Sequence, residues 1–257
     1  MTDHPAKGGK VLFTGRSALG ADGKPLFNVG AEVAKESEFS LDYILPIPEL
    51  RPSFAASPLV IYCRYPRLKV TTGTALGEVV EPYFERAWNH FCSHQHAPQR
   101  RQGTGFACGV QQGNVIWLPM DLCLAYRKWG QVTTKQFFLA CLRRLLGEGI
   151  GLKSNLPATA RVTLTEQPAA KRHVLHLLHA NLVQRGGLQQ THMGQMMMEV
   201  IEDLTPCCDV KVSVRLDKPA KRVTLEPQGK EIPFRVKDGR LELEIDRFTC
   251  HQMVVIQ

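Results

Sequence analysis

No stretch of the 257-residue chain holds about 18 consecutive apolar residues, the length a membrane-spanning helix requires. No membrane partner is therefore expected. The opening MTDHPAKGGK has no apolar h-region, so no secretory signal is expected either, and the reading is of a cytoplasmic protein. The eight cysteines include no CxxC pair, and Cys207 and Cys208 are adjacent, a spacing that rarely supports a mutual bridge. Cys63, Cys108, Cys123 and Cys141 lie within apolar segments and read as small buried hydrophobes. Free thiols in a reducing compartment fit this usage better than a disulfide scaffold. Also lacking is any RNP, zinc-finger or helix-turn-helix pattern. The net charge of +8 comes from scattered basic residues, densest at Arg100-Arg101, Arg143-Arg144, Lys171-Arg172 and Lys218 to Arg222. A solvated basic surface explains them, and no nucleic-acid partner is expected.

What is present falls into two textures. KVLFTG, ending at Gly15, reads as a buried strand running into a loop. PIPELRPSFAASP is too proline-rich for a regular helix or a central strand. PLVIYC, RLKVTTG and ALGEVVEP read as strands, and FACGV and NVIWLP flank QQG as a hairpin. Two helices are expected next. DLCLAYRKWG has Asp121 as N-cap and Gly130 as C-terminal stop. TTKQFFLACLRRLLGEG starts at a threonine cap and places Phe137, Phe138, Cys141, Leu142, Leu145 and Leu146 on one core-facing stripe.

Beyond Pro157 the pattern changes to short alternating segments: RVTLTEQ, HVLHLLHANL, CDVKVSVRL, RVTLEPQ, IPFRV, RLELEI and HQMVVIQ. Seven strands at this spacing indicate an antiparallel β-sandwich, with Asp238-Gly239 marking a tight hairpin. VQRGGLQQTHMGQMMME interrupts them as a surface excursion. The expected organisation is a partial α/β domain over residues 1–155 and a β-sandwich over 156–257.

The segments GGKVLFTG, VEPYFERAWNHFCSHQHAP, NVIWLPMDLCLAYRKWG, SNLPATARVTLTEQ, VIEDLTP and HQMVVIQ resemble the C-terminal region of β-galactosidase-like glycoside hydrolases. In that region a trimerisation-like domain precedes a small β domain. The resemblance implies a class I glutamine-amidotransferase-like, flavodoxin-like fold for the first part. It also implies a homo-oligomer such as a trimer, a catalytic barrel as partner, and carbohydrate as the ligand class. A TIM barrel takes about 250 residues and is not accommodated here. The front of the amidotransferase-like domain is missing too, as in a truncated gene, a split gene or a piece of a longer enzyme. An incomplete sheet should then leave an open edge or an exposed apolar face.

The candidate sites follow from side-chain chemistry. Trp88 to His96 carries His90, Cys92, His94 and His96 at alternate positions. On a straight strand residues 90 and 96 would lie about 20 Å apart, too far for common ligation at about 2.0–2.3 Å. No metal and no cofactor is therefore expected. His90, His94 and His96, with Trp88, are candidates for facing a sugar site or a subunit interface. The alternative is a loop whose imidazoles bond the backbone. Cys108 stands in GFACGV, not in the G-x-C-x-G elbow of an amidotransferase nucleophile, and no His-x-Glu pair follows. His173, His176 and His179 would share a face on a helix but divide between faces on a strand. Glu199, Glu202, Asp203, Glu242 and Glu244 are the carboxylates worth testing as a glycosidase pair, and a solvated strand face explains them more simply. Met196 to Met198 reads as an insertion packing on itself, and Trp88, Trp117 and Trp129 as core anchors. No catalytic residue is assigned. A stand-alone carbohydrate-binding module and a small amidotransferase-like enzyme are the alternatives to an accessory region of a glycoside hydrolase.

Overall fold

A computed structural model describes residues 3–192 and 194–257. Strands take 44% of the chain and helices 13%, so the chain is mostly β and is divided among several sheets. Two compact units are present, one ending at Glu148 and one running from Gly149 to Gln257.

The first unit begins with a single turn of helix, α1 (Asp3–Ala6), followed by β1 (Val11–Thr14), β2 (Ala31–Glu36), β3 (Asp42–Pro46), β4 (Leu59–Ile61), β5 (Pro66–Val70), β6 (Thr74–Ala75), β7 (Gly77–Val80), β8 (Val110–Gln112) and β9 (Val115–Leu118). Helices α2 (Leu122–Trp129) and α3 (Val132–Leu146) close it. One sheet has the order β1-β9-β8-β6, another β4-β3-β7, and β2 pairs with β5. β1 runs parallel to β9, with Val11 opposite Val115 and Thr14 opposite Leu118. The other pairings of the unit are antiparallel.

All four residues of β9 are buried, and alternation splits them between two cores. Ile116 and Leu118 join Ile44, Ile61, Phe137 and Cys141. Val115 and Trp117 join Val29, Leu68 and Val110 on the opposite face. The expected hairpin is β8–β9, turning through Gly113, whose φ of 54° favours glycine. α2 is capped as the sequence indicates: Asp121 accepts from the Leu124 amide, and Gly130 ends the helix in the left-handed region. α3 differs at its start. Gln131, not a threonine, is its N-cap, and Thr134 is buried inside the helix, donating to Gln131 Oε1 at 3.3 Å. Of its stripe, Phe137, Cys141 and Leu145 are buried and the neighbouring positions are half-buried.

The second unit comprises β10 (Leu152–Ser154), β11 (Arg161–Gln167), β12 (Arg172–His179), β13 (Val183–Thr191), β14 (Gly194–Val200), β15 (Cys207–Arg215), β16 (Val223–Glu226), β17 (Lys230–Glu231), β18 (Phe234–Lys237), β19 (Arg240–Phe248) and β20 (Cys250–Ile256). The seven expected segments are all strands. With β10 and β17 they form two sheets, β10-β15-β19-β18 and β11-β12-β20-β16-β17, antiparallel throughout. Leu175 and Leu177 from one sheet meet Val212, Val214, Leu241 and Leu243 from the other in one shared core. Asp238 and Gly239 form a two-residue turn with φ values of 50° and 71°, the conformation that tight hairpins require. The excursion is a two-stranded hairpin, β13–β14, whose register shifts between Gln184 and Leu188 and whose side chains are mostly exposed. Buried Arg240 ties the entry of the unit to its sheet, bonding the carbonyls of Ile150, Gly151 and Ser213.

Candidate functional site

The histidine-rich segment is a loop, so alternation does not decide where its side chains point. A cross-strand bridge between Pro82 and Gln99 closes its base. Tyr83 donates to Pro98 O at 3.0 Å, and Arg100 to Glu81 O at 2.8 Å. Ala87 and His90 exchange backbone hydrogen bonds of 2.9 and 3.1 Å, which makes Trp88-Asn89 a two-residue tip. Cys92 Sγ then bonds the carbonyls of His94 and His96, at 3.6 and 3.5 Å, curling the chain back. The Tyr43 hydroxyl, on buried β3, donates to Ala97 O at 2.6 Å and pins the returning arm.

The four candidate residues part company. Trp88 is 90% exposed at the tip, and neighbouring Phe91 is 69% exposed. His90 is exposed and stacks on Phe84, with ring centroids 3.9 Å apart. His94 is exposed. His96 turns inward, edge-on to Tyr62 at 5.8 Å, and its Nδ1 is buried without a hydrogen-bond partner. Among the described residues no three His, Cys, Asp or Glu side chains converge as metal ligands would.

His96 lines a pocket of about 270 Å³ with Tyr62, Phe84, Glu85, Arg86, Gln95 and Trp129. Four segments supply it: Ser40-Leu41 just before β3, Tyr62 just after β4, the loop itself, and the last residue of α2. Tyr62 packs between His96 and Trp129, the latter at 5.0 Å between ring centroids. Lys128 sits over the Trp129 ring at 5.0 Å. Arg86 donates to Gln95 O, and Glu85 accepts from the Ser40 amide at 3.0 Å. Aromatic rings, a carboxylate, a guanidinium and an imidazole around one hollow can stack on an apolar ring face and bond several hydroxyls. Among the described residues Glu85 is the one carboxylate lining it, without a second facing it as glycosidic cleavage uses.

Sequence reasoning passed over Tyr62, Phe84, Glu85 and Arg86. The tryptophans need correction. Trp117 is a core anchor, fully buried with its indole N–H on Gly15 O at 2.9 Å. Trp88 is not, because a hairpin tip offers nothing to pack against, and Trp129 remains 48% exposed at the end of α2. Cys123 is exposed as well, on the outer side of α2, whereas Cys108 and Cys141 are fully buried.

A second feature the sequence concealed lies beneath the loop. Asp42 and Arg67 are both fully buried and meet at 2.5 Å. Ser37 Oγ donates to Asp42 Oδ2 at 3.0 Å and the Tyr43 amide to Oδ1 at 3.1 Å. Glu81 reaches the same guanidinium at 3.4 Å, and Arg67 lies over the Tyr65 ring at 5.1 Å. Burial pushes the Asp42 carboxyl up, against the pull of Arg67, Ser37 and the Tyr43 amide.

The remaining candidates separate. Cys108 is a core residue; burial, reinforced by Cys141, pushes its thiol far up, opposite to what a nucleophile needs. The histidines of β12 divide between faces. His179 is buried with Nε2 3.2 Å from Thr159 Oγ1, and His176 points to the other face. Glu202 forms a two-pronged ion pair with Arg185, at 2.8 and 2.9 Å. Glu199 and Met196 to Met198 are exposed on β14. Glu242 and Glu244 are exposed on β19, where they line an open hollow of about 630 Å³ with Lys153, Lys211, Ser213 and Arg235.

Neither a protein-family model nor a curated protein matches the sequence. Solved structures do. An α-L-fucosidase, isoenzyme 2 from Paenibacillus thiaminolyticus, is 36% identical with a TM-score of 0.90, over 98% of this chain and 37% of that one. A β-galactosidase from Bacillus circulans sp. alkalophilus is 12% identical with a TM-score of 0.51, over 98% of this chain and 30% of that one, and shares the fold. The chain thus matches one part of such glycoside hydrolases and spans about a third of their length, 37% of the one and 30% of the other.

Proposed function

We propose that this chain is a non-catalytic accessory and oligomerisation region of a β-galactosidase-like glycoside hydrolase, acting beside a catalytic barrel. Its first unit is a partial flavodoxin-like, amidotransferase-like domain and its second a β-sandwich. The observation that carries the reading is the 0.90 TM-score at 36% identity over 98% of this chain but 37% of an α-L-fucosidase. β1, which runs parallel to β9 and has no strand on its other edge among the described residues, supports a sheet that other elements continue. The loop tip supports the interface role. A tryptophan 90% exposed beside a phenylalanine 69% exposed is what an unoccupied contact surface presents. In this reading Trp88, His90 and His94 face a neighbouring subunit, and His96 with Tyr62 and Trp129 rims a sugar site. α-L-fucosides are the first substrates to try with a whole enzyme.

Size-exclusion chromatography with light scattering tests the proposal. The full chain should form an oligomer, and W88A/F91A should shift it toward monomer. A strict monomer at high concentration contradicts the oligomerisation role. A second reading, a stand-alone carbohydrate-binding module, draws on the 630 Å³ hollow on the second unit. Glycan-array binding lost in E242A/K211A but kept in W88A would favour it.

A further inference from the structure

The outer face of the sheet β11-β12-β20-β16-β17 brings two histidines together from positions 75 residues apart. His176 Nδ1 lies 3.1 Å from His251 Nε2, and the rings are parallel within 8° with centroids 5.3 Å apart. The register explains the meeting. His176 faces Met253 and Leu178 faces His251, so the two imidazoles are diagonal neighbours on one side of adjacent antiparallel strands. The opposite side of the same strands carries Leu175, Leu177, Val254 and Ile256 into the core, which fixes both histidines outward. His176 is half-buried and His251 exposed, so a ligand reaches the pair from solvent.

We infer that His176 and His251 form a two-point site for a divalent cation that favours imidazole, such as Zn²⁺, Ni²⁺ or Cu²⁺. Nitrogens 3.1 Å apart, each about 2.05 Å from one ion, subtend an angle of about 98° there, between octahedral and tetrahedral values. Small rotations about the side-chain bonds turn both lone pairs from each other toward that point. Solvent water fills the remaining positions, and the Met253 thioether lies on the same face as a soft neighbour. The ion clips β20, the last strand, to β12 at the centre of the sheet, so binding stabilises the folded second unit.

Titration calorimetry of the tag-free full chain with zinc chloride, after iodoacetamide capping of the exposed thiols, tests the site. The expected result is a saturable isotherm near one equivalent, together with a zinc-dependent rise in the thermal midpoint. H176N and H251N should each abolish both while leaving the metal-free midpoint close to wild type. H90N/H94N, on the other unit, should change neither. Should H176N fold poorly, H251Q at the exposed partner carries the same test. A wild-type chain that shows neither heat nor midpoint shift at millimolar zinc overturns the inference. So does an isotherm that survives H176N or H251Q.

Discussion

Replacing Asp42 with asparagine removes one charge from a fully buried pair and changes almost no volume. Arg67, with no solvent access, then keeps its positive charge and loses its 2.5 Å partner. Breaking a buried pair from one side costs about 3–5 kcal/mol, because the surviving ion is left unneutralised. Two features place D42N at the lower end. Glu81 already reaches the guanidinium at 3.4 Å, and the one oxygen left on the new amide can still accept from the Tyr43 amide, while its NH2, in place of Oδ2, can donate to Ser37 Oγ. A loss of about 3 kcal/mol, at a urea slope of about 2 kcal/mol/M, moves the unfolding midpoint of the first unit down by about 1.5 M. The partner change R67M leaves Asp42 buried with two hydrogen bonds and should cost a similar amount. D42N/R67M removes both charges, so its loss should fall well short of the sum of the singles, by more than about 1 kcal/mol of coupling. Urea unfolding of the four proteins, followed by tryptophan fluorescence and far-UV dichroism, measures the cycle. A D42N loss under about 1 kcal/mol, or a double variant at the additive sum, would refute the reasoning that this pair holds β3 to β5.

Y43F deletes the hydroxyl on Ala97 O and leaves that carbonyl short of a partner, at a cost of about 1–3 kcal/mol. Hydrogen exchange should quicken across residues 83–98, and unchanged protection there would count against the clamp. W88A should alter stability by no more than about 0.5 kcal/mol, since the side chain is 90% exposed, while lowering self-association; a large drop in urea midpoint would mean that the ring is packed. Burial pushes the Cys141 thiol from an ordinary 9.0 to about 12 and the Cys108 thiol further. Their folded-state values lie above the unfolded ones, so this stabilisation is complete below about pH 9 and declines as pH rises toward the folded values, by about 1.4 kcal/mol per thiol per pH unit. C108A/C141A should flatten the fall in urea midpoint between pH 8 and 10, and an unchanged slope contradicts the burial argument. At neutral pH iodoacetamide should label Cys123 and Cys208 and spare Cys108 and Cys141.

Local rules made part of the fold legible. Alternation identified β12, β15, β19 and β20, since each buries one face in a core. Asp121 and Gly130 marked both ends of α2 through side-chain and backbone chemistry that acts within a few residues. Where the sequence misled, position overrode residue type. A tryptophan signals burial only where a neighbour covers it, and the tip at Trp88 has none. Gln131 takes the cap of α3 because the helix extends past the threonine that sequence favours. The candidate site was half readable. His96 stood out in the run of alternating histidines, but nothing local marked Tyr62, Trp129 read as core, and only folding brings Ser40-Leu41, Tyr62, the loop and the end of α2 around one hollow. The Asp42–Arg67 pair and the His176–His251 pair join residues 25 and 75 positions apart, beyond the reach of any local pattern.

Hydrolysis assays on the isolated chain test the central proposal most directly. With 4-nitrophenyl α-L-fucoside and 4-nitrophenyl β-D-galactoside at millimolar concentration, the chain should release no nitrophenol above the rate of buffer. Turnover by the purified chain, abolished by changing one carboxylate such as Glu85, would contradict the account.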